Sequence, residues 1–163
     1  GGYVAEMAPC EDAELYDRLA EFGPILSLDQ PLALYRIHAD SLSMSGFYKQ
    51  RTVLRYVRAR AQRRATDGGR LPFEAYEQHR ASRTRATRIV ERLDDMSRYH
   101  YRLGGMRFGE RRYVSAAWSL GASVLLNPKY ALPRAYRQLL SPRALRSVRQ
   151  APKRATGEGN ETT

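Results

Sequence analysis

Two neighbouring carboxylates, Glu11 and Asp12, open a run of residues that ends on Arg36, His38, Ser41 and Ser43. Carboxylates and histidines are the side chains that exchange protons near neutral pH or ligate hard cations, and an arginine or a hydroxyl can donate to an anion. Taken one at a time, each has an ordinary structural use. An acid in the first turn of a helix complements its free amides and its dipole, and a histidine can simply end a strand. Their joint order is what points to chemistry.

That order needs elements to position it. The stretch "EDAELYDRLAEFG" sets Leu15, Leu19 and Phe22 at helical spacing behind acids in the first turn, and Gly23-Pro24 stops it, so a short helix is predicted. "PILSLD" and "PLALYRIH", with apolar residues such as Leu32 and Leu34 at alternate positions and "DQP" between them, predict two strands. "ADSLSMSG" is a polar loop that closes this first module at residue 46. From Phe47 onward the pattern is helical. "FYKQRTVLRYVRARAQRRAT" carries Val53, Leu54 and Val57 on one side, and "DGGRLP" interrupts it. "FEAYEQHRASRTRATRIVERLDDMSRYHYRLGGMRFG" then continues to its glycines, and "ERRYVSAAWSLGASVLLN" ends at Asn127-Pro128. Ala116 and Ala117 allow two helices to approach closely, and a plain helical hairpin is expected there, since stacked repeats need several copies to bury a core. "KYALPRAYRQLL" and "SPRALRSVRQ" are short and proline-led, and residues 151–163 are polar and expected to be disordered.

The sequence of "ED", a Leu-x-x-Arg-Leu helix, a glycine, a strand, a proline-led strand, "YRIH" and Ser-x-Ser resembles the carboxy-terminal part of the catalytic domain of family 2 glycosyltransferases, inverting enzymes of the GT-A fold. The resemblance covers residues 1–45. Gly1-Gly2-Tyr3 looks like the family's segment before the acceptor loop, Leu15, Arg18 and Leu19 match its amphipathic helix, and Tyr35-Arg36-x-His38 with Ser41-x-Ser43 matches its ending. The resemblance implies an α+β fragment, with the last helix and two strands of a GT-A catalytic domain over residues 1–46 and a basic, mostly helical extension over 47–150. It implies Asp12 as general base with Glu11 beside it, Arg36, Ser41 and Ser43 on the substrate diphosphate, and His38 near a divalent metal, Mg2+ or Mn2+. The donor would be a nucleotide sugar and the acceptor a saccharide or a lipid-linked sugar, in cell-envelope or extracellular polysaccharide synthesis. Val4-Ala5 stands where the family often has an acidic pair, and the nucleotide-binding half with its Asp-x-Asp is not among these residues. The chain opens at "GGYVAEM" without an initiator methionine, so a longer protein is expected on the amino side, and this part alone is expected to be inactive.

Charge divides the chain in the same place. Residues 1–46 hold two basic side chains, Arg18 and Arg36, against eight acidic ones, which leaves this stretch at −6 and the rest of the +11 chain at +17. A basic surface attracts phosphate-bearing partners. Arg-rich helices with apolar stripes suit an anionic membrane surface, where each cation contributes on the order of 1 kcal/mol. Nucleic acid is the less expected partner, because no zinc, helix-turn-helix or RNA-sheet signature appears. A noncatalytic basic helical module on membrane or nucleic acid is the alternative function. With a single cysteine, Cys10, no internal disulfide can form, and no apolar run approaches the roughly 18 residues of a spanning helix. The expected location is cytoplasmic, peripheral at the inner face of the membrane.

Overall fold

The structure, a computed structural model, describes residues 2–33, 38 and 41–137. Every regular element among them is helical. A 3-10 turn at Ala5–Met7 precedes α1 (Glu11–Leu19), α2 (Leu42–Ser45), α3 (Phe47–Asp67), α4 (Phe73–Ser82), α5 (Arg85–Gly109), α6 (Tyr113–Leu126) and α7 (Pro128–Ala135). The expected α+β fragment is therefore corrected. "PILSLD" forms no strand, nor do residues 31–33, while residues 34–37 of the second expected strand lie outside the described residues, as do residues 138–163 with the last proline-led segment and the polar tail. Strands persist only when their amides and carbonyls pair with a neighbour, and no described segment supplies one. Residues 20–33 are instead exposed from end to end, and Phe22, Leu26, Leu28 and Leu32 show 89%, 86%, 71% and 73% of their surface.

The first packed unit gathers around α3. Val53 and Tyr56 are buried with Tyr76 of α4 and with Met7 and Cys10 from the chain start, and Leu54 and Val57 pack beside them, as their spacing predicts. Tyr56 donates its hydroxyl to the carbonyl of Leu71 at 3.0 Å and meets Phe73 edge-on at 5.0 Å, which fixes the connection from α3 to α4. Gly68 ends α3 in the left-handed region (φ 64°), where a side chain would be strained. The single long helix expected after Phe73 is broken at Arg83-Thr84. The Thr84 hydroxyl accepts the N–H of Thr87 at 3.3 Å and starts α5 afresh, a local cap that competes with helix continuation.

The second unit is the hairpin of α5 and α6 with α7 against it. Gly104 and Gly105 do not stop α5, which runs on to Gly109. A Cβ on Gly104 would lie 2.7 Å from Leu120 Cγ, so the missing side chain is what lets α6 approach. Small residues make up the facing side of α6: Ala116, Ser119 and Ser123 are buried, whereas Ala117, expected to share that role, is exposed. Ser97 donates its hydroxyl to the Ser123 carbonyl and Ser123 donates to the Ser97 carbonyl, both at 2.8 Å. Asn127 caps α7 by accepting the Tyr130 N–H at 3.1 Å while its amide donates to Asp94 of α5 at 2.9 Å.

Candidate functional site

The carboxylates of α1 divide into two sets. Glu14 is buried, and its oxygens accept from Arg18 at 3.0 Å and from Arg60 of α3 at 2.8 Å. Asp17 accepts from Arg60 at 2.6 Å and from Arg64 at 2.7 Å, and Glu21, just past the helix, accepts from Arg64 at 2.6 Å. Glu11 and Asp12 stand apart from this belt. Asp12 is exposed, makes no ion pair among the described residues, and accepts the Ala13 N–H at 2.7 Å. Glu11 is half-buried, with Oε2 fully enclosed and without a hydrogen-bond partner among the described residues. Both negative charges are felt by the buried Cys10 at the helix start: burial pushes its thiol up first, and Asp12 and then Glu11 push it further.

The other predicted site residues lie on the segment entering α3. His38 is exposed, and its carbonyl accepts the Ser41 N–H at 3.1 Å. Ser41 is buried, its hydroxyl without a partner among the described residues, and Ser43 sits half-buried in α2. Arg36 lies outside the described residues. The two parts of the expected site are joined through Pro9: its ring abuts Gly46 at the end of α2, and its carbonyl accepts from the Gln50 side chain at 3.0 Å. Chain entry into α1 and chain exit from α2 thus lie side by side. Among the described residues no three His, Cys, Asp or Glu side chains, His38 included, are placed to hold a metal ion. The described residues do not by themselves form the metal site that the resemblance implies.

Most arginines of α3 are engaged within the chain. Beside the α1 belt, Arg51 and Arg55 meet Asp95 at 2.9 Å and 2.6 Å, and Arg51 and Arg98 reach Asp94 at 3.3 Å and 2.8 Å. Burial would push Asp94 up, but the hydrogen bond and charge of Arg98, the charge of Arg51 and the Asn127 amide hold it below the usual carboxylate value. For Arg55, burial disfavours the cation, and the Asp95 bond and charge more than restore it. Arg58 and Arg63 remain exposed and form no ion pair among the described residues. A further feature, which helical patterning did not announce, is an open cleft of about 870 Å3 where α3, α4 and α5 meet. Arg80, Arg85, Arg88 and Arg92 line it with Tyr48 and Thr52. Its charge is partly answered already: Arg80 and Arg83 pair with Glu91, and Arg92 lies 5.3 Å over the Tyr48 ring. The only advance signal was the cation-dense stretch "RASRTRATR".

No family model, no curated protein and no solved structure matches the chain.

Proposed function

We propose that this chain is the carboxy-terminal part of an inverting sugar transferase, with Asp12 as the general base. Asp12 takes the proton of an acceptor hydroxyl as that oxygen bonds to the anomeric carbon of a nucleotide-activated sugar, and the bond to the diphosphate breaks on the opposite face with its electron pair leaving on the diphosphate. One observation carries the reading: α1 engages Glu14 and Asp17 in arginine pairs and leaves Asp12, near Glu14 in the first turn, exposed and without a cation among the described residues. A carboxylate locked to arginine would give up much of its capacity to take a proton. The enclosed oxygens of Glu11 and Ser41, without a partner among the described residues, support a site completed from elsewhere, since a buried polar atom costs on the order of 1–3 kcal/mol while unpaired.

In this reading Arg36, Ser41 and Ser43 serve the diphosphate, His38 lies toward a divalent ion, Mg2+ or Mn2+, that draws its other ligands from outside the described residues, and the acceptor is a saccharide or lipid-linked sugar. The setting is polysaccharide synthesis at the cytoplasmic side of the membrane. The exposed apolar run from Phe22 to Leu32 supports a larger unit, because patches of that kind mark surfaces that pack against something.

The test is made in a polypeptide carrying this chain behind a nucleotide-binding half, by measuring nucleoside diphosphate release from a panel of nucleotide sugars. Asp12→Asn should lower kcat by about 10²–10⁴-fold and leave donor affinity within about twofold. Equal loss of donor affinity would assign Asp12 to binding, and no transfer from any donor would sink the reading.

A further inference from the structure

The fully buried residues of α6 are all small. Ala116, Ser119 and Ser123 face α5, with Leu120 set against Gly104, while Val114, Trp118 and Leu125 stand on the opposite side in water, 88%, 80% and 86% exposed. Residues 114, 118, 121 and 125 recur at helical spacing, so with Gly121 they form one continuous stripe along α6. A helix that packs through small residues and directs large apolar ones outward is arranged for an apolar exterior, the pattern seen where helices meet in lipid. Tyr113 and Phe108, in edge contact at 5.4 Å, and Tyr136 add exposed aromatic rings near the two ends of this helix.

The charge around the stripe names the occupant. From Arg98 to Arg137 the chain carries eight basic side chains and one acid, Glu110. Arg111 and Arg112 are exposed at the start of α6, and Lys129, Arg134 and Arg137 are exposed beyond its end. None of the 14 residues of α6 is charged. An apolar strip of about 21 Å bounded by cations matches the interface of an anionic bilayer, with side chains in the acyl boundary and guanidinium groups at the phosphates. A second copy of the same surface would instead set cation against cation. No described helix is long and apolar enough to cross a membrane, so α6 would lie in the interface plane.

We propose that the outer side of α6, through Val114, Trp118 and Leu125, is a membrane-docking surface for anionic phospholipid, with Arg111, Arg112, Lys129 and Arg134 as its phosphate contacts. The inference stands on α5, α6 and α7 and does not depend on the transfer reaction.

Trp118 is the single tryptophan of the chain, so emission excited at wavelengths that tyrosine does not absorb reports this surface alone. The full chain is titrated with vesicles of phosphatidylcholine containing phosphatidylglycerol, and with pure phosphatidylcholine, while emission, acrylamide quenching and co-sedimentation are followed. On anionic vesicles Trp118 should shift to shorter wavelength and lose quencher access, with at least about tenfold weaker binding to neutral vesicles. Val114→Ser with Leu125→Ser should weaken partitioning by about tenfold or more with Trp118 kept as reporter, and far-UV circular dichroism checks that the variant is folded, as substitution at such exposed positions predicts. Arg111→Gln with Arg112→Gln should weaken binding and flatten its salt dependence. Co-sedimentation with unchanged Trp118 emission would place contact elsewhere and overturn the proposal. So would absence of binding at low salt, protection of Trp118 in a dimer, or protection in the vesicle-free monomer, the last showing that the chain covers its own stripe.

Discussion

Asp12 and Cys10 show how a single charge is felt by its neighbour. Burial and the carboxylates of Asp12 and Glu11 all disfavour the Cys10 thiolate, and the thiolate is the species that reacts with alkylating reagents. Iodoacetamide at pH 8 should therefore modify Cys10 in the folded chain at least about tenfold more slowly than in urea, measured by intact mass. Asp12→Asn should speed that reaction severalfold in a folded chain, because one like charge is removed while burial stays. No change would mean that the Asp12 charge is screened from Cys10 and that access alone sets the rate. At this scale much was legible. The "ED" pair sits at the first turn of a helix, as its spacing predicts, whereas "ADSLSMSG", expected as a polar loop, holds the short helix α2 with Ser41 at its start and Ser43 within it. Which of the α1 acids stay free was not legible, because it depends on arginines more than forty residues away along the chain.

At the scale of elements, α1 is held by charge where its sequence suggested apolar packing. Leu19 and Phe22 are exposed, while Glu14 faces α3 with only 3% of its side chain accessible and two arginines on it. Arg60→Ala should cost about 3 kcal/mol in urea unfolding, at the low end for breaking a buried pair because Arg18 still reaches Glu14. Arg64→Ala should cost under about 1 kcal/mol, because Arg64 is itself more open than Arg60, one of its partners is the exposed Glu21, and Arg60 still reaches Asp17. Equal costs would show that the belt acts by net charge alone. The helix hairpin offers a paired test. Gly105→Ala meets nothing within 4 Å and should stabilise by up to about 1 kcal/mol through helix propensity, whereas Gly104→Ala drives a Cβ into Leu120 and should destabilise by about 1–3 kcal/mol. Helices from Phe47 onward were readable because their periodicity is local. "PILSLD" and residues 31–33 form no strand, since alternation predicts a strand only if a neighbouring strand exists to pair with it, and sequence alone cannot supply that partner.

Across the whole molecule, the division of charge between the first 46 residues and the rest was plain in the sequence, but its consequence was not. The acids of α1 face the arginines of α3, and Asp94 and Asp95 of α5 answer arginines from its other end, so one basic helix is clamped by two acidic sets. Such a fold should fail in acid. Asp94 titrates below the ordinary carboxylate value in the folded chain, so its contribution is fully present above the unfolded value of about 3.9 and is lost as pH falls through its lower folded value. As carboxylates are protonated, the 28 Lys and Arg side chains and three histidines lose the counter-charge of 17 acids, and self-repulsion adds to the loss. The thermal midpoint followed by circular dichroism should be nearly level from about pH 7 to 5 and fall steeply below about pH 4. Asp94→Asn should lower the midpoint at pH 7, because Arg98 loses its anion and Arg51 the weaker of its two, and should show a smaller further drop on acidification, because one group linked to protonation is gone. A variant that drops as steeply as the parent would place the acid sensitivity in the α1 belt. A parent that keeps its midpoint down to pH 2 would show that apolar packing around Val53 and Tyr56 holds the fold without the ion pairs.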